Sequence, residues 1–426
     1  MVIILSVRGI VDEGIISMNG DMPRHLMNGV FFHDFVRDSA FSHPQEYAYQ
    51  YFARYPALSL GHHPLLLAVA EAPFYALFGI SVFSARMSIV FFMLLAAISW
   101  FLLVRSIYDE TIASYATFLF ITTPFIVEYS QLVMTEIPTI ALIILTVFFL
   151  HKYCETEAKK YAYAFAISLC LSVYSKHIAV FLFPVSLFYL IIKKGPRGLV
   201  RREILYISVM IVTLLTPFLL ITLKFSHHSI EYVSKAATIK PKADKLSFYA
   251  NALWKYHITL PVLILSIISF LLSVFRRDKR VIIFVLWMVC LFVMDTYIGW
   301  KVPRYGIYWI PVYCLFASTI FIIFDSRFWK IFVSVILIIV AGYQFIVSYQ
   351  KRLEFAYGYE DAAKYVVDHS TGGNILYSSI MDTGYFIFFL RKHNPPRDLI
   401  VLRANKILAT SEMHRIVENR TKDRKE

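Results

Sequence analysis

Long apolar runs recur along most of the chain, broken by short polar gaps. Ten of them read as candidate membrane spans, near 84–104, 112–127, 137–153, 161–175, 178–192, 204–224, 258–275, 281–298, 306–324 and 330–348. A helix needs about 20 apolar residues to cross a hydrocarbon core of roughly 30 Å. Several runs are shorter, so the pattern specifies that the spans exist better than where they end.

Charge in the gaps adds sidedness. Arg105 follows the first span; Lys152, Lys159 and Lys160 follow the third; Lys193, Lys194, Arg197, Arg201 and Arg202 follow the fifth. Arg276, Arg277, Lys279 and Arg280 follow the seventh, and Arg327 with Lys330 the ninth. Basic residues thus occupy alternate gaps, as a positive-inside chain with a correct span count requires. The remaining segments are expected outside the cytoplasm: 1–83, 128–136, Ser175-Lys176-His177, 225–257, 299–305 and the tail from 349. Ten spans put both ends on that side. Val2-Ile3-Ile4-Leu5 looks like the end of a further apolar segment, so 1–9 is expected to belong to, or just follow, an eleventh span. No cleavage pattern of a signal peptide follows it.

Composition excludes a soluble domain: of 426 residues 58% are hydrophobic, 17% aromatic and only 17% charged, more apolar than polar surface could cover. The excess of 42 Lys and Arg over 29 Asp and Glu is read as topology and not as nucleic-acid binding, because the basic clusters sit in the gaps. Cys170, Cys290 and Cys314 lie inside spans and Cys154 at the end of one, without disulfide or metal spacing.

Loop 10–83 is too long for a connector. After Asn19-Gly20-Asp21, the apolar residues Leu26, Met27, Val30, Phe31, Phe35 and Val36 fall at helical spacing among Arg24, His25, Asn28, Asp34 and Arg37. The pattern predicts an amphipathic helix lying in the membrane interface, or packed on the ends of the bundle. The tail 349–426 changes character. A helix over Glu360 to Val367 and strands at Ile375-Leu376-Tyr377 and Tyr385-Phe386-Ile387-Phe388-Phe389 are expected, making a small α/β appendage. Asn419-Arg420-Thr421 matches a glycosylation acceptor, a triplet common by chance. The fold class is therefore an all-α integral membrane bundle over 84–348, with helices in loop one (1–83) and the appendage.

Ionisable groups near membrane depth cost about 2.5–3.5 kcal/mol each at the bilayer centre, so their placement carries information. The outer boundary gathers Asp21, Glu128, Glu136, Lys176, His177, Asp295, Lys301 and Arg304, and loop one adds Arg24, His25, His62, His63 and Arg86. Carboxylates, imidazoles and cations on one face suit a reaction at the membrane surface.

Four places resemble the GT-C class of membrane glycosyltransferases, including the dolichyl-phosphate-mannose protein mannosyltransferases and the aminoarabinose transferase of lipid A. Loop one has Gly20-Asp21-Met22-Pro23-Arg24-His25-Leu26-Met27-Asn28, then Tyr55-Pro56-Ala57-Leu58, His62-His63-Pro64-Leu65, Leu77-Phe78-Gly79 and Ala85-Arg86. The second loop has Val133-Met134-Thr135-Glu136-Ile137-Pro138, similar to the family's second acidic site before a proline. Tyr174-Ser175-Lys176 sits where the family ends a span with Ser-Lys or Thr-Lys, and Pro303-Arg304-Tyr305 with Trp309-Ile310-Pro311 looks like its late Arg-Tyr. The resemblance covers about residues 12–325. Many relatives have Asp-Glu in the first loop; here that pair is Asp12-Glu13, whereas Asp21 precedes the amphipathic helix.

The resemblance implies a multi-pass protein of the plasma (inner) membrane with its site on the non-cytoplasmic face. It implies transfer of a hexose or pentose from a polyprenyl-phosphate donor to a hydroxyl of a glycolipid, wall polymer or protein. Asp21 is the expected general base, with Asp12 the alternative; Asp is equally favoured as a helix N-cap. Glu136 is expected to bind the acceptor or orient a group, or else to cap the next span. Arg86, Lys176 and Arg304 are expected to hold the phosphate, although Arg86 also suits a snorkelling position and Arg304-Tyr305 an aromatic-belt anchor. Arg24, His25, His62, His63 and Tyr305 complete the substrate-binding candidates. Some relatives use a metal and others do not, which leaves a divalent cation shared by Asp21 and Glu136 open. The rival reading is a transporter or flippase of lipid-linked substrates. It would call for internal repeats and Gly or Pro interruptions in matched spans near midplane; no repeat is seen, and the polar groups gather at one boundary instead of the bilayer centre. A structural or receptor-like protein would not need this clustering of charge.

Overall fold

The computed structural model describes residues 10, 14–16, 21–61, 63–225, 242–298, 301–323, 326–351, 355–379 and 383–404. Asp12, Glu13, Asn19, Gly20, His62, the apolar start 1–9 and the triplet at Asn419 lie outside these residues. The chain divides into two compact units. A bundle unit comprises 1–8, 61–66 and 89–352, and a loop–tail unit comprises 9–60, 67–88 and 353–426.

In chain order the elements begin with β1 (Ile15–Ile16), α1 (Met22–Arg37), α2 (Pro44–Arg54), α3 (Leu66–Phe78) and α4 (Val82–Ile107). There follow α5 (Glu110–Thr122), α6 (Pro124–Ser130), α7 (Glu136–Thr156), α8 (Lys159–Ser175), α9 (Leu182–Lys194), α10 (Arg202–Phe225), α11 (Lys242–Ala252), α12 (Leu260–Phe275), α13 (Ile282–Tyr297), α14 (Ile310–Thr319) and α15 (Arg327–Gln350). The tail adds β2 (Phe355–Ala356), α16 (Tyr359–His369), β3 (Gly373–Tyr377), α17 (Thr383–His393) and β4 (Leu399–Arg403).

Each of the ten expected spans falls on helix. Among the described residues, six helical stretches are long and apolar enough to cross a membrane: Val82–Ile107, Glu136–Thr156, His177–Lys194, Arg202–Leu223, Pro303–Ile322 and Arg327–Gln350. The run at 112–127 is the pair α5–α6, bent by 63°. Pro124 lacks an N–H and disfavours helix at Thr123, which breaks the ladder there. The neighbouring polar groups find partners on α15: Thr122 Oγ1 bonds Gln344 Oε1 at 3.1 Å, Gln344 Nε2 donates to Thr123 Oγ1 at 3.3 Å, and Ser348 Oγ donates to the Thr122 carbonyl at 2.9 Å. The remaining three, α8, α12 and α13, have 17, 16 and 16 residues; at 1.5 Å per residue they fall short of a full core.

Between lipid-solvated helices the hydrophobic effect gives little drive to associate, so small residues and buried hydroxyl pairs do much of the pairing. Thr139 and Ser175 Oγ atoms meet at 2.7 Å and Thr146 and Ser172 at 3.1 Å, joining α7 to α8. Deeper in the bundle Trp100, Phe181, Phe284 and Trp287 form one buried aromatic cluster. By contrast α10 and α15 expose Val209, Leu220, Ile338 and Ile339, the apolar surface that lipid would cover.

In the loop–tail unit Leu26, Met27, Val30 and Phe31 of α1 are buried. Phe31 meets the Tyr51 ring edge-on at 5.3 Å, and α1 packs with α17. β1 pairs antiparallel with β2, and β3 parallel with β4. Parallel strands require a crossover, and α17 supplies it. The expected strand at Tyr385–Phe389 is therefore corrected to a helix: every residue from Thr383 to Arg391 is buried, and a run apolar on all sides carries no period by which to tell helix from strand.

Candidate functional site

The bundle unit concentrates charge at the start of α7. Thr135 occupies the N-cap position and Glu136 is the first helical residue, where a carboxylate is favoured by the helix dipole. Its side chain is fully buried, and Oε1 accepts from Lys176 Nζ at 2.6 Å, with Arg304 Nε 3.8 Å from the same oxygen. Lys176 comes from the extended residue that ends α8. Its ammonium also lies 5.2 Å from the Tyr305 ring centroid and 5.8 Å from that of Tyr308, within cation–π range. Arg304 and Tyr305 lie on the 3-10 turn Pro303–Trp309. Two segments distant in sequence therefore converge on Glu136, and three of the four residues brought together with it, Lys176, Arg304 and Tyr305, were expected from the sequence.

Sequence reasoning gave Tyr308 no role, since an aromatic beside a span has many ordinary uses. Asp295, near the end of α13, has a fully buried carboxylate with no hydrogen-bond partner among the described residues and lies within electrostatic reach of Lys301 and Lys176. Lys301 Nζ itself donates to the Asp295 carbonyl and, at 3.0 Å, to that of Thr296, a cationic end for α13. Of the other boundary groups, Glu128 pairs with Lys351, and the His177 ring packs 5.2 Å from Phe218. His63 belongs to this unit and has its Nε2 buried.

The loop–tail unit holds the rest. Asp21 precedes α1 and is partly exposed, with Arg24 Nη1 3.7 Å away. It stands at the N-cap position, yet its side chain makes no capping hydrogen bond; the carboxylate is not committed to the role that most often explains such an Asp. Arg24 is exposed at 45%, whereas His25 is buried. Arg86 is buried too, donates to the Gly14 carbonyl at 3.1 Å and lies 5.3 Å from the Phe355 ring. That position is not the solvent-seeking one of a snorkelling side chain.

Two features of this unit had no sequence signal. Asp34, fully buried, accepts from Arg391 Nε and Nη2 at 2.8 and 2.7 Å and from the Tyr51 hydroxyl at 2.8 Å, with His33 Nδ1 at 3.1 Å. Burial pushes its carboxyl up, but the hydrogen bonds from His33, Arg391 and Tyr51 and the charge of Arg391 outweigh it and hold Asp34 well below the usual carboxylate range. Beside it Arg397 forks onto Asp38 at 2.6 and 2.9 Å. The second feature is Glu71 on α3, fully buried and packed against Gly29, where a Cβ would come 2.0 Å from Oε2. Burial raises its carboxyl well above the ordinary range.

Among the described residues no group of three or more His, Cys, Asp or Glu is placed to hold a metal. Glu136 faces two cations, Lys176 and Arg304, which disfavours a third.

The sequence matches the family model of dolichyl-phosphate-mannose-protein mannosyltransferases over residues 62–221, less than half of the chain. No curated protein sequence matches significantly. The fold is similar to that of ArnT from Cupriavidus metallidurans bound to undecaprenyl phosphate, with a TM-score of 0.67 and 12% identity over 94% of this chain and 88% of that one. It is also similar to the oligosaccharyltransferase of Archaeoglobus fulgidus in the apo form, with a TM-score of 0.61 and 12% identity over 92% of this chain and 63% of that one. The same archaeal enzyme in complex with Zn and sulfate gives a TM-score of 0.60 and 15% identity. The chain thus has the GT-C fold: an all-α multi-span bundle carrying a small appendage.

Proposed function

We propose that this chain is a glycosyltransferase that moves a sugar from a polyprenyl-phosphate donor to a hydroxyl acceptor at the non-cytoplasmic surface of the plasma (inner) membrane. The observation that carries the reading is the cluster of Lys176 and Arg304 around the buried Glu136 carboxylate on a fold similar to that of ArnT bound to undecaprenyl phosphate. In the reaction the acceptor oxygen bonds to the anomeric carbon as the bond from that carbon to the phosphate oxygen breaks. Asp21 takes the acceptor's proton, and the polyprenyl phosphate leaves against fixed positive charge. A buried carboxylate that holds Lys176 and Arg304 in place keeps those cations oriented before the charge develops, where such preorganisation is worth most. Arg24, His25, His62, His63, Arg86 and Tyr305 are the further substrate-binding candidates, and the acceptor is a glycolipid, wall polymer or protein.

The test is Asp21→Asn in purified protein with a labelled polyprenyl-phosphate sugar. Transfer by the wild type and its loss in a variant that expresses normally support the reading. Unchanged transfer moves the base to Asp12 or Glu13. Uptake into vesicles with no transfer from any lipid-linked sugar favours the transporter.

A further inference from the structure

His257 ends the π-helical turn Leu253–His257, in which the Ile258 N–H reaches back five residues to the Leu253 carbonyl. Such widened turns are uncommon and often sit at functional places. The His257 imidazole is 1% exposed, and Nε2 bonds the Pro303 carbonyl at 2.6 Å. A carbonyl only accepts, so Nε2 carries the proton. On one side the ring meets Phe125 of α6 at 5.0 Å. On another it lies against Gly306, where a Cβ would come within 2.1 Å of Cε1 and 2.7 Å of Nδ1. Gly306 is therefore glycine because the imidazole fills the space a side chain would need. Both contacts fall on the turn that carries Arg304 and Tyr305, one residue before Arg304 and one after Tyr305.

We propose that His257 is a positioning residue for Arg304. By holding the Pro303 carbonyl and covering Gly306, it fixes the turn from which Arg304 and Tyr305 reach Glu136 and Lys176. The functional half of this inference rests on the reading of Arg304 as a phosphate-holding group. A lone buried His is more often a satisfied core residue. What sets this one apart is that the carbonyl its Nε2 bonds and the glycine whose Cβ space its ring fills both belong to the Arg304 turn.

The experiment compares wild type, His257→Gln, His257→Leu and Gly306→Ala as full-length protein in lipid nanodiscs. Gln keeps an N–H donor near the position of Nε2, whereas Leu keeps bulk alone. Two readouts are taken: amide hydrogen exchange over 304–309, and binding of undecaprenyl phosphate. His257→Leu and Gly306→Ala are expected to speed exchange in this turn and to weaken undecaprenyl phosphate binding by about tenfold, with His257→Gln recovering most of both. Unchanged exchange in His257→Leu overturns the positioning role, and so does a Gln variant as impaired as Leu. Faster exchange with unchanged binding overturns the link to Arg304 and leaves only a structural lock. If the wild type itself binds no undecaprenyl phosphate, the transferase reading fails, and the exchange results alone decide whether His257 fixes the turn.

Discussion

Removing either partner of the Asp34–Arg391 pair should destabilise the loop–tail unit, and the two removals should not cost the same. Breaking a buried ion pair by deleting one partner typically costs about 3–5 kcal/mol, because the survivor is left charged and desolvated. Here the survivors differ. Asp34→Leu strands the Arg391 guanidinium, which is 2% exposed and has no other ion-pair partner among the described residues. The expected cost is about 4 kcal/mol. Arg391→Met leaves Asp34 with the Tyr51 hydroxyl, His33, and the cations Arg37 at 3.6 Å and Arg397 at 3.7 Å, so about 2 kcal/mol is expected. The double variant removes both charges and should be less damaging than Asp34→Leu alone, since an apolar pair of similar volume often matches a buried ion pair.

The assay must report on this unit alone. None of the six tryptophans, at 100, 254, 287, 300, 309 and 329, belongs to it, so intrinsic Trp fluorescence reports on the bundle. Urea-dependent pulse proteolysis in detergent, scored by mass spectrometry of peptides from 21–60 and 383–404, follows the right segments, and the four species form a double-mutant cycle. A double variant at least as unstable as Asp34→Leu would refute the reasoning, because the penalty would then come from packing and not from a stranded charge. Acid gives an independent check. A carboxylate held below its unfolded value of about 3.9 contributes stability that is fully present above that value and is lost as pH falls through the lower folded value. The acid sensitivity of the wild-type unit should therefore shrink in Asp34→Asn.

Three further outcomes follow from the same geometry. Gly29→Ala places a methyl 2.0 Å from Glu71 Oε2, 2.8 Å from Glu71 Cβ and 2.9 Å from Tyr75 Cε2 and should cost about 1–3 kcal/mol, read by the same proteolysis; adding Glu71→Ala should recover only part of it, because the Cβ and Tyr75 contacts remain. Glu71 is raised by burial, so its folded form holds a proton that the unfolded chain releases above about pH 4.3; stability should fall as pH rises from 5 to 8, and Glu71→Gln should flatten that slope. In the bundle, Lys176→Met should abolish transfer and destabilise by about 3 kcal/mol, while adding Glu136→Gln should restore thermal stability without restoring transfer. Recovery of both would remove the cluster from the chemistry.

What could be read from the chain depended on whether its signal was local. The spans were legible because a bilayer imposes a run length, and the break at Thr123-Pro124 shows where that rule is too coarse to see a bend. Glu136, Lys176 and Arg304 were legible because a charge at the end of an apolar run is conspicuous. Their sequence neighbours did not say that Lys176 would take Glu136 at 2.6 Å while Arg304 stands at 3.8 Å. The run Tyr385–Phe389 was misread because its helix is buried all round and leaves no polar face to set a period. Glu71 sits in apolar Leu66–Phe78, but nothing near it in sequence marks Gly29 as the place its carboxyl packs. Asp34 and Arg391 lie 357 residues apart, each beside other charged residues that suit an ordinary exposed face. The common physical reason is that burying a charge requires a partner without specifying which one. A sequence therefore shows where a partner is needed, and only the fold chooses it. By that logic Asp295, buried and without a hydrogen-bond partner among the described residues, is the group in the bundle whose requirement is least met. Removing the unpartnered carboxyl in Asp295→Leu should stabilise the bundle, and a destabilised variant would show that Lys301 and Lys176 already balance it.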